Sequence, residues 1–121
     1  MRQWMVDPRI MCRKHLLGEH LEHHMFIGSI KNGKKIKGYI DNNLLEPLSL
    51  FNRHEQLVQE MLRRGYSHNS QLNESFVTSL INTIYPLERF HIIDRIRSFN
   101  DLLGRCKECR ERNELVNNNI Y

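Results

Sequence analysis

The chain has no apolar run long enough to cross a membrane, which takes roughly 18 to 20 residues, so no membrane partner is expected. Its first residues are polar within a few positions and carry no apolar signal region, which points to an intracellular protein. Cysteine is scarce and odd in number, at 3, which argues against a secreted disulfide framework. There is no internal repeat and no low-complexity block beyond Asn117-Asn118-Asn119. At 121 residues with 40% hydrophobic content, the chain can bury a real core without help from metal or disulfide, and one domain over 1–121 is the expectation.

The charge is concentrated rather than large. The net charge is +4, and residues 1–37 hold 8 Lys/Arg against 3 Asp/Glu, with four of the seven histidines. Residues 38–85 hold 3 against 5, and residues 86–121 hold 7 against 6. A localised cationic face suits a phosphate backbone, although a solvated basic surface would have the same composition.

The apolar spacing predicts an all-α fold, a small bundle of about three main helices. Asp7-Pro8 reads as an N-cap followed by proline at the first helical position, and Ile10–Ile30 as one long helix closed by Gly33. Leu17, Leu21, His24 and Gly28 form one stripe on it; His15, Gly18, Glu19, Glu22, Met25 and Ser29 form another. Internal Gly18 and Gly28 each cost about 1 kcal/mol against alanine, which suggests a close approach to the helix. Residues 34–46 read as a loop. Pro47 opens a second helix that ends at Gly65, Ser67–Asn73 is a linker, and Ser75–Ile84 is ambiguous between helix and strand. Pro86 opens a third helix with Leu87, Phe90, Ile93, Ile96 and Leu103, which Gly104 ends or bends. Residues 113–121 read as a frayed tail.

The segment His15-Leu16-Leu17-Gly18-Glu19-His20-Leu21-Glu22 resembles the signature helix of the phage-type endonuclease V family, the pyrimidine-dimer DNA glycosylases with abasic-site lyase activity. The likeness continues through Phe26-Ile27-Gly28, Asn32-Gly33-Lys34 and the run from Gln56 to Tyr66, over about residues 1–66. Met1-Arg2-Gln3-Trp4, Cys12-Arg13-Lys14-His15 and Arg105-Cys106-Lys107-Glu108-Cys109-Arg110 look closer to its bacterial branch. The resemblance implies a DNA repair enzyme whose nucleophile is the α-amine of the first residue, here Met1, assisted by a helix glutamate, here Glu22. It implies an N-terminal segment packed between the helices, and double-stranded DNA bearing a lesion or abasic site as the partner of a monomer. An α-amine titrates at about 7.7–8.0, so a useful fraction is neutral near pH 7 and able to form an imine.

Arg2, His15, His20, Lys31, Lys34, Lys35 and Lys37 are the candidate DNA contacts. Arg13 and Lys14 extend that patch. His23 and His24 read as surface or packing residues, and Trp4 as a core anchor. Two departures stand out. Where the phage-type enzymes carry arginines beside the catalytic glutamate, this chain has Leu21 and Met25, and their aromatic, basic C-terminal segment has no counterpart. A non-catalytic nucleic-acid-binding helical module therefore stays open as the alternative. Cys12-x-x-His15 and Cys106-x-x-Cys109 together make a Cys3His set with zinc-type spacing. The phage-type enzymes need no metal and His15 is wanted for the cleft, so no metal and no cofactor is the favoured expectation.

Overall fold

The structure is a computed structural model in which residues 1–119 are described. Residues 120–121, the end of the expected tail, lie outside the described residues. Among the described residues the fold is a small all-helical domain with 66% helix and no strand. It has seven α-helices rather than about three: α1 (Arg13–Lys31), α2 (Lys37–Asp41), α3 (Leu50–Arg63), α4 (Glu74–Ile81), α5 (Pro86–Arg89), α6 (Arg95–Arg105) and α7 (Lys107–Asn117). Short 3-10 turns at Pro8–Ile10 and Pro47–Ser49 precede α1 and α3.

The extra helices arise where capping overrides apolar spacing. Asp7 does cap, but it caps the 3-10 turn, accepting from the Arg9 amide, and Cys12 becomes the N-cap of α1. The expected third helix splits because Asp94 accepts from the Arg97 amide and restarts the chain as α6. The Glu46 carboxylate takes the Ile93 amide at 2.8 Å and holds the break open. Of the apolar residues that seemed to continue through it, Ile93 is buried while Leu87, Phe90 and Ile96 are exposed. The ambiguous segment is helix α4, with Asn73 capping the Phe76 amide. The expected loop contains α2, and Gly33 and Gly65 end their helices at φ +69° and +84°, a region that favours glycine.

Two apolar clusters share α1 as their common wall. The first gathers Trp4, Ile10, Met11, Leu16, Leu57, Met61 and Leu102. The second gathers Phe26, Ile27, Ile30, Ile40, Leu45, Leu50, Val77 and Ile81, with the Met1 side chain packed against it. Between them α1 buries polar residues instead, namely Glu19, His20 and His23. The buried stripe is therefore not the expected one: Leu21 is 59% exposed and Met25 48% exposed.

Residues 1–4 lie extended across α1, and Met5 turns the chain at a left-handed φ of +55°. The Trp4 amide donates to Glu19 Oε1 at 3.0 Å, and the Gln3 amide donates to the Leu44 carbonyl at 2.8 Å. Ser98 of α6 donates its hydroxyl to the Trp4 carbonyl. Burial pushes the His23 imidazole down to about 4, so the ring is neutral at pH 7. It then bridges the Glu19 carbonyl, at 2.8 Å from Nδ1, and the Gln3 side chain, at 3.1 Å from Nε2. The first residues are thus clamped between α1, α6 and the chain that follows α2.

Candidate active site

A cleft of about 630 Å³ opens at the start of the chain. One wall is α1, through Lys14, His15, Gly18, Glu19 and Glu22; the other is α6, through Arg97, Asp101 and Arg105. Met1, Arg2 and Trp4 lie in it, and Asn42 and Leu44 close one side. Two backbone amides of the extended segment, two residues apart, meet two carboxylates three residues apart on α1. Alternation along a strand and the three-residue spacing of a helix each put such a pair on one face. Glu19 takes Trp4, and Glu22 Oε2 takes the Arg2 amide at 3.1 Å. Bond geometry holds the Met1 nitrogen within about 4 Å of that amide. No ion pair links the Met1 ammonium to Glu22 among the described residues.

Charge in the cleft is mixed and predominantly positive. Arg2 stacks over the Trp4 ring, its guanidinium carbon 3.6 Å from the centroid, and reaches Asp101 at 3.8 Å and Ser98 at 3.3 Å. Lys14, Arg97 and Arg105 are exposed on its walls. Arg97, Asp101 and Arg105 are four residues apart and so share one face of α6, the sequence signal that marks this wall. His15 sits edge-on to Trp4 at 5.6 Å, and burial, then Lys14, holds its pKa below the ordinary histidine value. The close approach expected at Gly18 is not made by the protein. A Cβ there would meet no atom within 4 Å, so the missing side chain widens the cleft. The same holds at Gly28.

The other expected DNA contacts are spread out. Lys34, Lys35 and Lys37 line a second groove, of about 420 Å³, with Thr83, Tyr85 and Glu88. Lys37 pairs with Asp41, and the Lys31 ammonium lies 6.0 Å from the Phe76 ring centre. His20 is absent from the cleft. It packs among His24, His54 and His68, with ring centres about 5 Å apart. Burial and those neighbouring rings push its pKa down to about 4. Trp4, at 5% exposed, is the anchor the sequence suggested. Two groups of side chains have the ligand spacing of metal sites: Cys12, His15, Cys106 and Cys109, and the four histidines just named.

Fold and cleft define a small helical protein whose first residues, two helix carboxylates and a cationic rim share one open cleft. A family model described as pyrimidine dimer DNA glycosylase matches residues 1–74, and the chain belongs to that family. No curated protein and no solved structure matches it. Membership implies a DNA glycosylase with DNA as its substrate. No helix among the described residues is long and apolar enough to cross a membrane.

Proposed function

We propose that this protein excises damaged pyrimidines from double-stranded DNA and cuts the resulting abasic site, using the α-amine of Met1 as nucleophile and Glu22 as its acid–base partner. The single observation that carries the reading is the Glu22 carboxylate bound to the Arg2 amide inside an open cleft. The neutral amine attacks the sugar C1′, and the base departs with the bonding pair. The attached nitrogen loses a proton, and its lone pair then expels O4′, which takes a proton as the sugar ring opens and leaves a protonated imine at C1′. The imine acidifies C2′, whose proton is removed as the 3′ phosphate leaves by β-elimination, and hydrolysis returns the amine. Glu22 stabilises the cationic sugar and carries the protons. Arg2, Lys14, Arg97 and Arg105 hold the flanking phosphates. The lysines at 31, 34, 35 and 37 contact the backbone further along, and His15 lines the sugar pocket. His20, buried among histidines, has no part. The damaged nucleotide must leave the stack at a cost of a few kcal/mol, which a dimer's disturbed stacking lowers.

Exposed Leu21 and Met25 favour the second reading, a module that binds without cutting, because neither offers a cation to a phosphate. Borohydride reduction on an abasic-site duplex decides between them. A covalent protein–DNA adduct is expected from the native chain, and none from a variant carrying two extra residues before Met1. Salt-sensitive binding with no adduct from the native chain would establish the module instead.

A further inference from the structure

Two helices begin at one point in this fold. Cys12 is the N-cap of α1 and Cys106 the N-cap of α7. Each starts a four-residue turn that ends in a second candidate ligand, His15 on α1 and Cys109 on α7. All three cysteines are free thiols. Cys12 Sγ lies 3.8 Å from Cys106 Sγ. His15 Nδ1 lies 3.2 Å from Cys12 Sγ and 3.7 Å from Cys109 Sγ. All four ligand atoms fall within 4.8 Å of one another. A tetrahedral zinc with bonds of about 2.3 Å to sulfur and 2.0–2.1 Å to nitrogen needs S···S near 3.8 Å and S···N near 3.5 Å. The observed separations bracket those values and are far longer than a disulfide bond of about 2.05 Å.

Backbone amides already point at two of the sulfurs. The Cys109 amide donates to Cys106 Sγ at 3.4 Å, and the Cys12 amide donates to Cys109 Sγ at 3.2 Å. Both helix N-termini direct positive dipole ends toward the sulfurs. We propose that Cys12, His15, Cys106 and Cys109 bind a structural zinc ion that clamps α7 onto the start of α1. With four protein ligands the site is closed, so the metal holds structure and activates no water. It would also fix the His15 ring, which lines the cleft, and tie residues beyond the matched 1–74 to the helix that bears Glu22.

The native, untagged protein tests this without a variant that might fail to fold. Titrating the thiols with a mercurial in the presence of a chromogenic chelator should release one zinc per chain in step with thiol modification. Replacement by cobalt should give thiolate-to-cobalt charge-transfer absorption. Folded, helical protein whose thiols react with no zinc released, and whose cobalt form lacks that absorption, would overturn the proposal.

A different observation carries a second site. His20 and His24 of α1, His54 of α3 and His68 beyond it bring four ring nitrogens within 4.8 Å of one another. His20 Nε2 and His68 Nε2 are buried with no hydrogen-bond partner. A buried polar nitrogen without a partner is destabilising, and a shared cation would satisfy it. His24 Nε2 and His54 Nε2 already face each other at 3.1 Å. Glu55 sits 2.9 Å from His54 Nδ1, the outer carboxylate that orients a metal-bound imidazole. We infer that these histidines hold a second divalent transition metal, stapling α1 to α3. Zinc is the probe. Native protein with its thiols blocked and desalted should keep one zinc per chain, and His68→Ala should lose it while retaining the thiol-released zinc. Thiol-blocked native protein that keeps no zinc, or a His68→Ala protein that keeps as much as the native chain, would sink the inference.

Discussion

Glu22→Gln is expected to slow strand scission at an abasic site by about 10²–10⁴-fold, the range for removal of a general acid–base group, while DNA binding and thermal stability stay close to those of the native chain. The separation follows from the geometry. Glu22 does two things: it accepts the Arg2 amide at 3.1 Å, and it brings a negative charge into the cleft. Glutamine keeps a carbonyl oxygen for the amide, so the first residues stay where they are. It loses the charge that stabilises a cationic sugar and the basicity that moves protons. Single-turnover cleavage of an abasic duplex, with binding measured in parallel at fixed salt, reads the two apart. Cleavage within about threefold of the native rate would remove Glu22 from the chemistry.

What the sequence revealed about this site was the part written on one helix. His15, Gly18, Glu19 and Glu22 are spaced three and four apart, and they do line one wall of the cleft. The opposite wall was hidden. Arg97, Asp101 and Arg105 meet α1 only because α6 packs across the N-terminal segment, where Ser98 holds the Trp4 carbonyl. A contact between residues so far apart in the chain leaves no local pattern. Glu19 and His23 misled for another reason. Each is polar and reads as surface, yet each is fully buried because its partners, Arg53 for one and Gln3 for the other, come from distant positions. Leu21, on the stripe that apolar spacing marked, is exposed instead. The fold class survived such errors because proline, glycine and cap residues punctuate the chain. The number of helices did not, since the break before α6 joins a local cap, Asp94, to a distant acceptor, Glu46, which takes the Ile93 amide. The two metal-like clusters differ in this respect: the Cys3His set of Cys12, His15, Cys106 and Cys109 was legible whole from its two ligand-spaced pairs, whereas His54 and His68 gave no sign of joining His20 and His24.

Arg53→Met should cost about 3–5 kcal/mol, the largest stability loss we anticipate for a single change outside the apolar clusters. Arg53 is 2% exposed and Glu19 1% exposed. The guanidinium donates to both Glu19 oxygens, at 2.6 and 3.0 Å, and to the Val6 carbonyl at 2.6 Å. Methionine leaves Glu19 as an uncompensated buried charge, which is why removing one partner of such a pair costs more than the pair contributes. Replacing both, as Glu19→Met with Arg53→Met, should recover part of the loss because no ion is then stranded. Recovery will be incomplete, since the Trp4 amide loses its acceptor and an unpaired buried donor costs about 1–3 kcal/mol. The expected order of urea midpoints, at matched metal content because bound metal shifts apparent stability, is native, then double, then single variant. The double variant carries a further consequence for the cleft. Without Glu19 the segment keeps only the Arg2 amide on Glu22 and the Gln3 side chain on His23 as ties to α1, so its borohydride trapping should weaken even where the protein is folded. A double variant that traps as well as the native chain would show that Glu19 holds the core together without placing Met1.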